Sequence, residues 1–149
     1  MWIFLDRQIS IEEVNIAISS LKNGKSASVD SLIPELFKVC HNQLAPMLCK
    51  LFKYIFDNDM YPEIWRKGII VPVPKKRNLN DVDNYRGITL IRIFSKIFYM
   101  LIDTRLRNWA NDNNVLHDNQ FGLVEVKSTV NCIFVLTSIL DKIVKHEKR

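Results

Sequence analysis

The stretch GIIVPVPKKRNLNDVDNYRGITLI, residues 68 to 91, decides the fold class of this chain. Residues 68 to 74 are rich in β-branched side chains, and the prolines among them favour an edge strand because proline cannot donate to a sheet ladder. Polar residues from 75 to 84 predict a turn, and residues 87 to 91 predict a second short strand. The stretch therefore predicts a two-stranded hairpin with a basic tip.

The segments on either side of this hairpin have the spacing of helices. Ser10-Ile11-Glu12-Glu13 has the pattern of a capping box, in which Ser10 accepts a hydrogen bond from the backbone of Glu13. Apolar residues behind it predict a first helix that runs to about Lys22 and is broken by Asn23-Gly24. Similar patterns predict helices over residues 34 to 39, 44 to 55, 94 to 109 and 127 to 146. We therefore predict an α+β fold that is mostly helical, with one two-stranded basic hairpin.

The composition fits one folded domain with a polyanionic partner. The chain has 149 residues, and 48% of them are apolar, which is enough to build a core. Its formal net charge is +5 and its isoelectric point is about 9.2. A basic excess of this size suits nucleic acid or another polyanion.

The cysteines and the apolar runs indicate a compartment. Cys40, Cys49 and Cys132 are widely spaced and form no C-x-x-C pair, which argues against a disulfide scaffold and a zinc ribbon. The sequence has no signal-peptide core and no apolar run of the ~18 residues that a membrane span needs. We therefore expect an intracellular protein, in the cytoplasm or the nucleus, that is not secreted and has no membrane partner.

Four cations are predicted to meet at the hairpin. Lys75, Lys76 and Arg77 end the first strand and Arg86 lies at the start of the second, so strand pairing would bring them together. Guanidinium and ammonium groups suit the oxygens of a triphosphate or of a nucleic-acid backbone. The same charges would also solvate the tip and protect an edge strand from aggregation. The residues alone leave both interpretations open.

Known catalytic and metal-binding motifs do not occur in the sequence. An EF-hand loop starting at Asp81 would need an oxygen ligand where Tyr85 stands and Glu where Arg92 stands. The histidines are isolated from one another, and no Walker loop, nucleophile elbow or H-E-x-x-H motif is present. We therefore predict no catalytic residue and no metal ligand in this chain.

A series of motifs runs through nearly the whole chain. The most specific is DNYRGITL at residues 83 to 90. The others, in chain order, are LKNGKS at 21 to 26, Asp30, Pro34-Glu35, IVPVPKK at 70 to 76, Lys96, Arg105-Leu106, QFG at 120 to 122 and Ser128-Thr129. In this order the motifs resemble the reverse transcriptases of non-LTR (LINE-type) retrotransposons. DNYRGITL is similar to the N-Y-R-G-I-x-L strand of that family.

The resemblance implies a fold and a set of binding residues. The family's fold resembles a right hand, and these segments would form the fingers and the start of the palm. Lys75, Lys76 and Arg86 would face the triphosphate of an incoming dNTP. The RNA template and the DNA primer are the other implied partners. The residues implied to bind the template or nucleic acid are Lys25, Tyr85, Gly87, Gln120 and Gly122.

The resemblance also implies what the chain lacks. Nucleotidyl transfer uses two metal ions held by carboxylates, which this family supplies from a first palm strand and a Y-x-D-D turn. The sequence has no Asp-Asp pair. We therefore expect residues 1 to 149 to be a partial reverse transcriptase domain, the fingers with the start of the palm, truncated before the catalytic aspartates and inactive alone. No cofactor is expected in this chain, whereas Mg²⁺ is expected for the full-length family enzyme.

Two other functions stay open beside a polymerase fragment. The chain could be a non-catalytic RNA- or DNA-binding module without sequence preference, or the inert product of a decayed retroelement. Ser28 and Ser31 stand where the family usually has glycine, and Leu123-Val124 stand where it typically has Phe-Arg. If either serine position requires a positive φ, serine would strain the backbone by ~1 kcal/mol.

The last predicted helix carries apolar residues that we expect to be exposed. Such a surface would favour self-association through the C-terminal helix. The residues concerned are Ile133, Phe134, Val135, Leu136 and Leu140.

Overall fold

The structure of the chain, a computed structural model, describes residues 7–75, 79–117, 120–122, 124 and 127–147. The chain divides into two units, Met1–Arg107 and Asn108–Arg149. The mixture of helices with one antiparallel pair of strands confirms the predicted α+β class for the described residues. The elements are α1 (Ile11–Ser19), α2 (Pro34–Val39), α3 (His41–Asp57), β1 (Ile69–Pro74), β2 (Tyr85–Leu90), α4 (Ile93–Asp112) and α5 (Thr129–Glu147), with short 3₁₀ turns at Glu63–Arg66 and Val82–Asn84.

The predicted capping box begins α1. The Ser10 hydroxyl accepts a hydrogen bond of 3.2 Å from the Glu13 amide, and the Glu13 carboxylate accepts one of 2.9 Å from the Ser10 amide. Each side chain therefore satisfies a backbone donor that the first turn of a helix leaves without a partner.

The end of α1 was predicted too late in the chain. The helix ends at Ser19 and not near Lys22. The Leu21 amide donates to the Ile18 carbonyl at 3.2 Å, a short-range bond that tightens the last turn and takes the chain out of the helix. Leaving the helix here places the Leu21 side chain in the core, where it is 2% exposed.

The core of the first unit is built from α1, α2, α3 and the first half of α4. The fully buried Phe52 ring packs against Phe98 and Trp65, with ring centroids 5.3 and 6.2 Å away. Phe37 meets Phe94 edge to face at 5.2 Å. Buried apolar side chains in this core are Ile9, Val14, Ala17, Ile18, Leu21, Phe37, Ala45, Leu48, Cys49, Phe52, Ile55, Trp65, Ile93, Ile97, Phe98 and Leu101.

A buried arginine joins α4 to the start of the described chain. Arg105 is 2% exposed, and its guanidinium donates to both carboxylate oxygens of Glu13 at 2.9 Å. It also donates to the carbonyls of Arg7 at 2.7 Å and Gln8 at 3.1 Å, and it lies 5.9 Å from the centre of the Phe56 ring. The desolvation of a charge this deep is offset only when its donors are satisfied, as they are here.

The pKa of Glu13 reflects this arrangement. Burial works to raise the pKa, but hydrogen bonds from Arg105, the Ser10 backbone and Arg7 outweigh it and hold the pKa of Glu13 at about 2. The same carboxylate therefore caps α1 and neutralises the arginine of α4.

The second unit contains the end of α4 and the helix α5. α4 ends where Asn114 adopts a φ of 50°, a left-handed conformation that asparagine tolerates. The apolar residues of α5 are exposed as predicted, with exposed fractions of 70% for Phe134 and 58% for Leu136. Within the described residues, no helix is both long and apolar enough to cross a membrane.

We expect acid to remove the stability that Glu13 contributes. Its pKa of about 2 lies below the ordinary value of 4.5, so this stability is present above pH 4.5 and is lost as the pH falls through about 2. The loss should be roughly 3 kcal/mol, from the difference between the two pKa values. The pKa is measured directly by following the Glu13 carboxyl carbon by NMR during an acid titration.

Glu13→Gln removes the half-buried carboxylate, and Glu63→Gln is its matched control at an exposed ion pair. Glu63 forms an exposed ion pair with Arg66 and should contribute little, so its variant should parallel the wild type at every pH. Glu13→Gln should be less stable than the wild type at neutral pH, and the gap should narrow in acid. A Glu13 carboxyl that titrates near its ordinary pKa would contradict this account.

Candidate nucleic-acid interface

The hairpin has a continuous register from Ile69 opposite Leu90 to Pro74 opposite Tyr85. β2 therefore begins at Tyr85, two residues before the predicted start. The ladder is extended at the tip, where the Lys75 amide donates to the Asn84 carbonyl at 2.6 Å. The prolines of β1 are accommodated because each strand has only one neighbour in the described residues.

The register places two of the predicted cations on one face of the hairpin. Arg86 lies directly opposite Val73. Lys75 follows the last residue of β1, and continued alternation places it on the same side as Val73. Diagonal neighbours of this kind are roughly 7–8 Å apart, within reach of long side chains. Lys76 and Arg77, the other two predicted cations of the hairpin, lie outside the described residues.

The two cations remain available for a ligand. One hydrogen of the Lys75 ammonium group is used by the Asp83 carbonyl at 3.0 Å. Arg86 is exposed, and among the described residues no carboxylate lies within ion-pair distance of either side chain. The guanidinium fork and the rest of the ammonium group can therefore donate to phosphate oxygens.

Tyr85 and Gly87 lie on the opposite face of the hairpin from Arg86. Side chains alternate along a strand, and Gly87 pairs with Pro72 while Tyr85 pairs with Pro74. A methyl group at Gly87 would lie 3.1 Å from Cγ2 of Ile70, so a side chain there would press on β1. Arg86, implied to bind the triphosphate, and Tyr85 and Gly87, implied to bind the template, thus lie on opposite faces of the sheet.

Tyr85 is fixed by the loop that joins the strands. Its hydroxyl donates to the Leu79 carbonyl at 3.0 Å. Within the same loop the Asp81 carboxylate accepts from the Asp83 amide at 3.0 Å, a hydrogen bond typical of aspartate in a turn. Hydrogen bonds within residues 79 to 85 therefore hold this part of the loop in place.

Lys25 lies in a loop that is attached to the hairpin. The loop begins at Gly24, whose φ of 66° suits glycine and whose amide donates to Glu35 at 2.6 Å. This hydrogen bond lowers the pKa of the Glu35 carboxyl. Further along, the Ser28 hydroxyl donates to the Leu90 carbonyl at 2.9 Å, which ties the loop to the end of β2.

A cleft of about 410 Å³ lies between this loop, the end of β2 and the start of α4. Lys25 and Lys96 both line it, together with Ile88 and Leu90 of β2. Sequence analysis placed Lys96 within the family motifs but did not select it as a binding residue. Its position in the first turn of the helix that follows β2 is the feature of the sequence that could have indicated a binding role for Lys96.

One of the two serines at family glycine positions has a positive φ. Ser31 has a φ of 56°, so the strain expected there is present, whereas Ser28 is not among the described residues with positive φ. The turn closes through a 3.0 Å bond from the Ser31 amide to the Ser28 carbonyl, and the Asp30 carboxylate accepts from the Leu32 amide at 3.3 Å. The two serines therefore differ in backbone conformation, since only Ser31 is in the left-handed region.

Gln120 and Gly122 belong to the second unit, whereas the other predicted residues belong to the first. Both are exposed, and the Gln120 amide donates to the His117 carbonyl at 2.9 Å. The ammonium group of Lys127 lies 5.7 Å from the centre of the Phe121 ring, a cation–π contact that sequence analysis missed. Leu123 lies outside the described residues, and Val124 is half-buried.

The described residues offer no metal site. Nowhere among them do three or more histidine, cysteine or carboxylate groups come close enough to hold an ion. The described residues therefore do not supply the carboxylate set expected to hold Mg²⁺ in the full-length family enzyme.

Comparison with known proteins finds relatives among the proteins of transposable elements. No family model matches the chain. It is 28% identical over 132 residues to a probable RNA-directed DNA polymerase from transposon BS of Drosophila melanogaster, covering 88% of the chain. It is 24% identical over 136 residues, 91% of the chain, to an uncharacterized protein of transposon TX1 of Xenopus laevis. It is 27% identical over 115 residues, 76% of the chain, to the RNA-directed DNA polymerase from mobile element jockey of Drosophila melanogaster.

These relatives are much longer than the chain. It spans 15%, 10% and 13% of their respective lengths. All three come from transposable elements, and the similarity covers most of the chain in each case. The resemblance to the reverse transcriptases of non-LTR retrotransposons is therefore confirmed.

We expect Ser31→Gly to stabilise the first unit. Glycine adopts a φ of 56° without a Cβ clash, which removes strain of ~1 kcal/mol, and the added chain entropy of glycine offsets part of this gain. The free energy of unfolding should therefore rise by up to about 0.5 kcal/mol. The measurement is urea unfolding followed by circular dichroism.

Ser28→Gly is the matched control, since it makes the same chemical change in the same turn. It relieves no positive φ and removes the hydrogen bond to Leu90, so the free energy of unfolding should fall by about 0.5–1.5 kcal/mol. Equal destabilisation by both variants would show that the left-handed conformation of Ser31 carries no strain.

Proposed function

We propose that this chain supplies the fingers of a retroelement RNA-directed DNA polymerase, with the start of the palm, and that its hairpin binds nucleic acid and nucleotide phosphates. The observation that carries the proposal is the register of the hairpin. Val73 pairs with Arg86, which places Lys75 and Arg86 on one face with no carboxylate partner in the described residues.

The chemistry of this face suits a triphosphate. Arg86 presents a planar set of donors that can grip two phosphate oxygens, and Lys75 adds a compact charge beside it. Positioning and charge neutralisation are the main contributions a protein makes to phosphoryl transfer. The hairpin can provide both for an incoming dNTP, while the carboxylate-held metal ions that complete the reaction are not part of the described residues.

The opposite face suits a base pair. Gly87 leaves a low surface between Ile70 and Tyr85, and the Tyr85 ring is held in place by its hydroxyl bond to Leu79. A flat surface beside an aromatic ring can contact the template strand without selecting a base. The relatives' names favour this polymerase role over a stand-alone binding module.

The polymerase proposal is tested by binding to a primed RNA template. Lys75→Gln with Arg86→Gln should weaken binding about tenfold at about 50 mM salt, because two phosphate contacts are lost. The dependence of the binding constant on salt, compared at about 50 and about 200 mM, should become shallower by roughly 0.7–0.9 for each contact removed. Filter binding or fluorescence anisotropy gives both quantities.

Lys50→Gln with Lys142→Gln is the control for net charge. Both lysines are exposed on helices, α3 and α5, and neither lies in the hairpin or in the cleft. The control should bind with nearly the wild-type affinity. If it weakens binding as much as the hairpin variant does, the hairpin has no special role and only total charge matters.

We also propose that α5 mediates self-association of this chain. Ile133, Leu136, Leu140 and Ile143 are all at least half exposed and recur at alternating steps of three and four residues. This spacing is the one at which two helices bury a shared apolar seam.

Self-association is measured by light scattering at rising protein concentration. Leu136→Gln should shift the chain towards the monomer, because the substitution puts an amide into the seam. Val39→Gln, at an apolar residue of α2 that is 82% exposed, should leave the wild-type behaviour unchanged. A wild-type chain that stays monomeric at every concentration would rule out this role for α5.

A further inference from the structure

The cleft beside the hairpin holds a lysine in an unusual setting. Lys96 is half-buried on α4 and lines the cleft together with Lys25 and Ser26 from the loop. Among the described residues, neither lysine has a carboxylate within ion-pair distance. Partial burial of an ammonium group without a counter-charge is unfavourable. An anion bound in the cleft would remove this cost.

The rest of the cleft is mostly apolar. Leu32 and Pro34 line one side, and Ile88, Leu90 and Ile93 line the other. An anion that carries an apolar or weakly polar body suits such a lining better than a free inorganic ion does. A sugar–phosphate unit of a nucleic-acid strand has this character, with its charge on the phosphate and its ring and base beside it.

The cleft lies beside the last residues of β2. Ile88, Thr89 and Leu90 all line it, so residues from both faces of the strand contribute. Neither Lys75 nor Arg86 is among the residues that line the cleft, so a phosphate bound there and a phosphate bound by the hairpin cations would have different ligands.

We propose that Lys25 and Lys96 bind a backbone phosphate of a single nucleic-acid strand in this cleft, separately from the hairpin cations. The inference rests on the proposed polymerase function and adds Lys96 to its binding residues. The apolar walls contact the sugar and base, so the cleft accepts any sequence. Ser28 holds the loop wall in place through its bond to Leu90.

The test uses the full chain, a labelled single-stranded RNA and inorganic tripolyphosphate. Lys25→Gln with Lys96→Gln should weaken RNA binding about tenfold at about 50 mM salt and make the salt dependence shallower by roughly 0.7 per lysine. Affinity for tripolyphosphate should stay at the wild-type level. The Lys50→Gln, Lys142→Gln chain is again the control for net charge, and circular dichroism checks that each variant is folded.

A conservative variant separates charge from structure. Lys96→Arg keeps the positive charge and the long stem, so RNA binding should return to within about threefold of the wild type. A loss of binding in Lys96→Arg as large as in Lys96→Gln would show that Lys96 acts by packing alone, and the proposal would be wrong.

The remaining outcomes separate this inference from the proposed function. If only the hairpin variant loses RNA affinity, the cleft is not a strand site and the polymerase proposal stands. If only the cleft variant does, the cleft binds the strand and the hairpin role fails. Loss of tripolyphosphate binding in the cleft variant, with RNA binding intact, would mean that the cleft takes a free phosphate group and would overturn the proposal.

Discussion

The buried guanidinium of Arg105 is the constraint on which the first unit depends. This guanidinium reaches its acceptors only if residues 7 to 13 and α4 keep one relative position. Other positions are strongly disfavoured, because removing one partner of a buried ion pair costs about 3–5 kcal/mol. Glu13 is held in turn by the cap of α1. Since α4 begins directly after β2, the same interaction fixes the helix that carries Lys96 into the cleft.

The hairpin depends much less on burial. The apolar side chains of β1 are at least a third exposed, so the strands are held by their ladder and by two contacts at their base. One is the hydrogen bond from Ser28 to Leu90. The other is the close approach of the Gly68 backbone to Thr89, where an added Cβ would lie 2.8 Å from Cγ2 of Thr89. Lys75 and Arg86 thus project from an exposed element that is anchored at one end to a well-packed core.

The sequence predicted features whose causes are local. The capping box at Ser10, the hairpin and the exposed apolar residues of α5 all follow from patterns within a few residues, and the structure has them. Features that depend on distant partners were not predictable. Arg105 is typical of an exposed helical residue until Glu13 is seen beside it, and the cleft around Lys96 exists only once the loop, β2 and α4 are packed together.

The separation of the hairpin into two faces has a consequence for how copies of such a gene decay. Point substitutions alter one side chain at a time and leave the register from Ile69 to Leu90 in place. Loss or gain of a single codon within β2 would invert every residue beyond it, because side chains alternate with a period of two. An indel just before Arg86 would turn the Arg86 side chain to the face where Tyr85 and Gly87 now lie. In-frame indels in this short segment are therefore far more damaging than their length implies.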